Sequence, residues 1–223
     1  MQRSTAELKA ALAGIIHKYK EPVPRNRPKA ALVQRERIPA IAALCAESFP
    51  GDLLEIGCLR GNMTVPLLKV AEKYGRRVMA IDPWITGTPN CNGTEYPTFL
   101  KRTRPWRGRL DIMRLRSQDP VAIAAMKERE LCFAYIDGLH KYPACLSDIH
   151  AAAHCKGIIV VDDVRDVPQV LKALYVGAQE TLREAIFSRE PSPLEGYILP
   201  WQANWLPIHR IILNGETSYT QGT

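Results

Sequence analysis

The chain has 223 residues, of which 46% are hydrophobic and 24% charged, with a formal net charge of +7. That balance excludes a disordered chain and is enough for one large domain with a sizeable core. The positive surplus favours anionic partners, but its two densest stretches, 17–29 and 101–109, lack the basic-plus-aromatic pattern of a nucleic-acid module, so nucleic acid is not expected.

Residues 4–19 place Leu8, Leu12, Ile15 and Ile16 on one helical face, with Ser4 or Thr5 as cap and Glu7 in position for a capping box. The prolines of 21–28 end that helix in extended backbone, and a second helix is predicted over about 30–48. No long apolar run occurs here, so neither a signal peptide nor a membrane span is expected. Six cysteines without a closely spaced pair read as reduced thiols of a cytoplasmic protein. Residues 1–49 therefore form a helical extension or lid, and 50–223 the main domain.

From residue 53 the period changes. Short apolar strands are predicted at 53–58, 77–82, 109–115, 131–137 and 157–163, with helices at 63–75, 95–104, 119–128, 142–154 and 168–188 between and after them. Two final strands, 195–200 and 207–214, are expected to form an antiparallel pair. Five consecutive strand–helix units mean a mostly parallel sheet with helices on both faces, seven strands in all. Ligands of such sheets lie beyond the carboxyl ends of the strands, where strand order reverses.

Every predicted parallel strand ends on polar side chains. The first exit carries Glu55, Gly57, Cys58 and Gly61; the second, Asp82 and Trp84; the third, Ser117 and Gln118; the fourth, Asp137 and His140; the fifth, Asp162 and Asp163. The glycine pattern lacks the middle glycine of a pyrophosphate loop, which suits a nucleoside without phosphates. Asp82 is placed to accept from ribose hydroxyls, and Glu55 with Asp82 suits a cofactor carrying positive charge. Asp137, Asp162 and Asp163 would repel one another unless a cation sat between them, and oxygen ligands suit Mg²⁺. His140 is a base with a pKa near neutrality, three residues after Asp137. His150 and His154 share a helix face, but nothing supplies the remaining ligands of a zinc site. Trp201 and Trp205 could wall a pocket or pack in the core, and His209 falls in a predicted strand.

"LLEIGCLRGNMTVPLL" and "VMAIDPW" resemble the first two motifs of the class I S-adenosylmethionine-dependent methyltransferases, a resemblance that covers about 50–214. "YIDGLHKYPACLSDI" and "GIIVVDDV" resemble the metal-dependent O-methyltransferases, the macrocin-type sugar enzymes especially, and Ser117-Gln118-Asp119 resembles the adenine edge of the catechol type. The resemblance implies a Rossmann-like α/β fold. It implies that Glu55, Gly57, Cys58 and Gly61 line the methionine part of S-adenosylmethionine, that Asp82 holds the ribose, and that Trp84 flanks the adenine. It further implies that Asp137, Asp162 and Asp163 bind Mg²⁺ and that His140 is the base. Many sugar-type members carry an acid where this chain has Leu139, so that version of the base is absent. The acceptor implied is a hydroxyl of a sugar, glycosylated or polyphenolic small molecule. A homodimer is left open. Two rival readings are a nicotinamide-dependent oxidoreductase on a related sheet and a non-catalytic RNA-binding module of this fold.

Overall fold

The computed structural model describes residues 3–19, 27–87, 91–164, 166–186, 196–200, 210–213 and 216–219. Five apolar segments form the parallel strands: β1 (Asp52–Ile56), β2 (Val78–Ile81), β3 (Leu110–Met113), β4 (Leu131–Ile136) and β5 (Ile158–Val161). Their side chains alternate between two cores, as the pleat dictates. Leu53, Phe133, Tyr135 and Val160 point to one face. Leu54, Ile136, Ile159 and Val161 point to the other.

Four helices cover the first face: α1 (Thr5–Lys18), α2 (Arg27–Ser48), α3 (Thr64–Tyr74) and α4 (Glu95–Thr103). Leu8, Ile41, Leu67 and Phe99 fill the core beneath them. The capping box expected at α1 forms, with Ser4 and Glu7 each taking the other's backbone N–H. The second face carries α5 (Pro120–Glu128), α6 (Tyr142–Ala151) and α7 (Pro168–Glu180), over Met126, Ile149 and Leu174. No helix of the described residues is long and apolar enough to cross a membrane. All six cysteines are buried and free.

The parallel strands lie in the order β3-β2-β1-β4-β5. Connections run outward to either side of β1, so strand order reverses between β1 and β4, and the crevice is expected there. The seven-strand expectation needs correction. Six strands make the body of the sheet, with β7 (Gly196–Ile198) added antiparallel to β5. Three short strands, β6 (Ala185–Ile186), β8 (Arg210–Leu213) and β9 (Glu216–Tyr219), lengthen the edge to nine among the described residues. Antiparallel pairing at the C-terminal end is present, but among the described residues its partners are β7 with β6 and β8 with β9, because β6 lies between the two segments expected to pair.

The strand β6 falls where the sequence predicted the end of a helix over 168–188. That helix stops at Glu180, where the Thr181 hydroxyl donates to the Gly177 carbonyl at 2.6 Å and Leu182 takes a left-handed φ of 54°. No glycine marks this stop. Arg183 then anchors the turn in the core, donating to the carbonyls of Ala153 (2.6 Å), Cys155 (3.0 Å), Gly157 (2.8 Å) and Leu199 (2.6 Å). The proline-rich break within 20–26, Trp201, Trp205 and His209 lie outside the described residues.

The Arg183 cluster predicts a large local sensitivity. Arg183→Met strips four buried carbonyls of a charged donor and is expected to lower unfolding free energy by roughly 3 kcal/mol or more in urea denaturation. A loss under about 0.5 kcal/mol, the range of ordinary surface changes, would contradict that reading.

Candidate active site

The exits of β1 and β4 are pressed together. Asp137 N–H donates to the Ile56 carbonyl at 2.8 Å. Gly57 has φ 89°, and a Cβ on it would lie 1.9 Å from the Asp137 carbonyl oxygen. Glycine is required by that contact as well as by the backbone angle. The loop then turns through Leu59 to Gly61, whose own Cβ would meet Phe99 at 3.1 Å.

Three side chains hold this loop. Asp82, at the end of β2, accepts from Leu59 N–H (2.9 Å) with one oxygen and from Trp84 N–H (2.7 Å) with the other. Trp84 donates its indole N–H back to the Leu59 carbonyl at 2.6 Å. Glu95, fully buried at the start of α4, accepts from Arg60 (2.7 Å), Asn92 N–H (2.9 Å) and Gly93 N–H (3.0 Å). Nothing in the sequence points to the Arg60–Glu95 pair, whose members stand 35 residues apart.

Of the predicted nucleoside contacts, Glu55 is 1% exposed, and its Oε2 has no hydrogen-bond partner. Burial pushes its carboxyl up to about 8, and the Asp137 and Asp82 charges push the same way. An orphaned buried carboxyl oxygen beside the glycine loop fits a cofactor that brings a cationic group. Cys58 turns its thiol inward, 3.7 Å from the Glu55 and Ile81 carbonyls, so only its backbone can face the crevice. Trp84 is 2% exposed and packs on Tyr96 and Phe99, ring centroids 4.8 Å away in both cases. It backs the loop, and no open ring face is left for an adenine in this arrangement.

At the β3 exit, Gln118 donates its side-chain amide to Ser117 Oγ (2.6 Å) and to Asp148 Oδ1 (2.8 Å). Asp148, on α6, was missed. Its signal was a carboxylate among the apolar residues Ala144, Cys145 and Ile149 of the helix's buried face.

The β4 and β5 exits bring Asp137, His140 and Asp163 together. His140 Nε2 lies 3.2 Å from Asp137 Oδ1, and Nδ1 lies 3.2 Å from Asp163 Oδ2. The hydrogen bond with Asp137 raises the His140 pKa, and the Asp163 charge adds to it. Burial and then the Asp162 charge raise Asp137, while the His140 hydrogen bond pulls it down.

Asp162 departs from the expected metal set. Its Oδ2 accepts from Tyr135 Oη (2.5 Å) and Gln34 Nε2 (2.7 Å), and its Oδ1 from Asp163 N–H (2.8 Å). These bonds turn it towards β4 and α2, and leave Asp163, at φ 55°, aimed at His140. Asp137, His140 and Asp163 each offer one ligand atom, all within 4.8 Å of one another, a set a divalent cation fits. His150 and His154 do not converge. His150 pairs with Glu180 at 2.8 Å and His154 meets the Arg129 carbonyl at 2.8 Å.

Residues 54–164 match a family described as a methyltransferase domain. No curated protein matches the sequence. Among solved structures, CalS11, described as a TDP-rhamnose 3'-O-methyltransferase of calicheamicin biosynthesis, superposes with a TM-score of 0.59 at 17% identity, over 88% of this chain and 92% of that one. The O-methyltransferase NovP gives 0.56 at 17%, over 89% and 98%. The Podospora anserina methyltransferase PaMTH1, solved with SAH bound, gives 0.53 at 11%, over 91% and 99%. At these identities the structural likenesses bear on the fold. The matched stretch runs across β1 to β5 and their exits, just under half of the chain, and supports reading it as an S-adenosylmethionine-dependent methyltransferase.

Glu95 yields a pH test. Its hydrogen bond from Arg60 holds the carboxyl down at about 2, from an ordinary 4.5. A depressed carboxyl stabilises the fold above the unfolded pKa, and that contribution is lost as pH falls through the folded one. Glu95→Gln is therefore expected to be clearly less stable than the unmodified protein at pH 7, with the gap closing between about pH 4.5 and pH 2. Urea titrations across that range check it. A gap independent of pH would contradict the assignment.

Proposed function

We propose that the chain transfers a methyl group from S-adenosylmethionine to a hydroxyl oxygen of a small molecule, a sugar or a glycosylated or polyphenolic compound. The observation that carries this reading is His140, held between two carboxylates at the β4 and β5 exits, beside the bare Gly57 loop. The sugar acceptor in the description of CalS11 supports the substrate class.

S-adenosylmethionine supplies an electrophilic methyl group on a sulfonium. Glu55 Oε2 receives the donor's ammonium, which ends its orphaned state. Asp82 keeps lone pairs beyond the two used by backbone N–H groups, and these accept from the ribose hydroxyls. Ser117 and Gln118 face the adenine edge.

The acceptor oxygen must shed a proton as it attacks the methyl carbon. The neutral His140 ring, protonated at Nδ1 on the Asp163 side, takes it at Nε2, and the new Nε2–H donates to Asp137, whose backbone abuts the donor loop. Asp163 orients the ring from Nδ1. A bound Mg²⁺ would lower the pKa of the acceptor hydroxyl. Asp137 and Asp163 are the carboxylates that would hold it, and Asp162 supports them from behind. Leu139, 56% exposed beside His140, offers the acceptor an apolar contact. The nicotinamide reading has less support, since the loop lacks the middle glycine that a pyrophosphate needs.

S-adenosylhomocysteine at 100 times its Kd is expected to add about 2.7 kcal/mol of stability, seen as a raised Tm, whereas NAD leaves Tm unchanged. His140→Ala is expected to abolish methyl transfer to a responsive hydroxyl acceptor and to keep the Kd for S-adenosylhomocysteine. A shift with NAD alone, or full turnover without His140, would overturn the reading.

The cation assignment is read separately, by Mn²⁺ binding in electron paramagnetic resonance without donor or acceptor. Asp137→Asn and Asp163→Asn should each weaken binding more than about tenfold, the scale of one lost charged contact. Unchanged Mn²⁺ affinity in both would remove the metal from the site.

A further inference from the structure

Asp148 is a buried acid without an obvious structural reason. It is 1% exposed, sits on α6, and uses only one oxygen in hydrogen bonding. Its Oδ2 is buried without a partner and lies where a Cβ on Gly138 would come within 3.3 Å of it. The acid therefore stands directly behind the exits of β3 and β4, which wall the crevice. Burial pushes its carboxyl up to about 7, and hydrogen bonds from Ser117 and Gln118 pull the other way.

An ionised carboxylate only accepts, so it dictates which end of a neighbouring amide faces it. Gln118 turns its NH₂ to Asp148 Oδ1 at 2.8 Å and to Ser117 Oγ at 2.6 Å. Both amide protons are thereby used, and Gln118 Oε1 is left as the acceptor the segment can present. Adenine and hypoxanthine differ at this kind of contact: a 6-amino group donates and a 6-oxo group accepts.

We propose that Asp148 is a positioning residue that locks the Gln118 amide with its oxygen outward, so that the β3 exit selects a 6-amino purine nucleoside and rejects a 6-oxo one. This rests on the reading that Ser117 and Gln118 face the adenine of the methyl donor. The acid never touches the ligand. It acts by denying Gln118 the flipped orientation.

The test is isothermal titration at pH 8 with S-adenosylhomocysteine and with its deaminated analogue, S-inosylhomocysteine. The unmodified protein is expected to prefer the adenosyl compound by roughly ten- to hundredfold, the worth of one made against one mismatched hydrogen bond. Asp148→Asn can donate as well as accept, so Gln118 becomes free to flip. The preference should then fall to within about threefold, by tighter inosyl and weaker adenosyl binding. A merely structural role would weaken both ligands alike and keep their ratio.

A ratio unchanged in Asp148→Asn overturns the role of Asp148 alone. Equal binding of both compounds by the unmodified protein overturns the contact between Gln118 and adenine, and no binding of either overturns the donor reading itself. If Asp148→Asn does not fold, nuclear magnetic resonance of the unmodified protein decides. Both side-chain amide protons of Gln118 should exchange slowly with solvent, and fast exchange would overturn the lock.

Discussion

The close approach of the β1 and β4 exits governs the rest of the site. A glycine with φ 89° lets the Asp137 carbonyl come where any side chain at 57 would have stood. The backbone is stitched there by the Asp137 N–H to Ile56 carbonyl bond at 2.8 Å. As a result the loop proposed to face the donor and the acids proposed to face the acceptor share one wall. No hinge or second domain is needed to bring them together. Parallel strands with a reversal between β1 and β4 make such a meeting point available, and Gly57 makes it narrow enough to use.

The carboxylates around this point divide by how well they are satisfied. Asp82, Glu95 and Asp162 each accept at least two hydrogen bonds and work as fasteners: Asp82 for the glycine loop, Glu95 for Arg60, Asp162 for α2 and β4. Glu55 and Asp148 each keep a buried oxygen without a partner, while Asp137 and Asp163 share one imidazole. An unmet buried acceptor costs on the order of 1–3 kcal/mol, which a fold keeps where a ligand or a constraint repays it. Glu95 and Asp162 serve the scaffold, Asp82 fastens the loop and keeps lone pairs to spare, and the unmet oxygens of Glu55 and Asp148 lie at the strand exits where a ligand or a constraint is to be sought.

Much of this could be read from the sequence, for identifiable reasons. Apolar runs of four to six residues fixed β1 to β5, and the rule that ligands sit at strand exits singled out Glu55, Asp82, Asp137, His140 and Asp163. What could not be read depends on side chains distant along the chain. Asp162 resembles a ligand in "VVDDV", yet Tyr135 and Gln34 claim it, the latter 128 residues away. Trp84 offers a ring by its position, yet Tyr96 and Phe99 take both it and its exposure. The end of α7 escaped notice because Leu182, with no glycine, adopts the left-handed turn, under the pull of a buried guanidinium.

The most direct measurement is a crystal structure with S-adenosylhomocysteine. The expected result is its ammonium within hydrogen-bond distance of Glu55 Oε2, its ribose on Asp82, and its sulfur in the crevice between Gly57 and His140. A ligand bound elsewhere, with Glu55 Oε2 still unpartnered and the Gly57–Asp137 wall facing only solvent, would contradict the idea that this narrow junction is where methyl donor and proton acceptor meet.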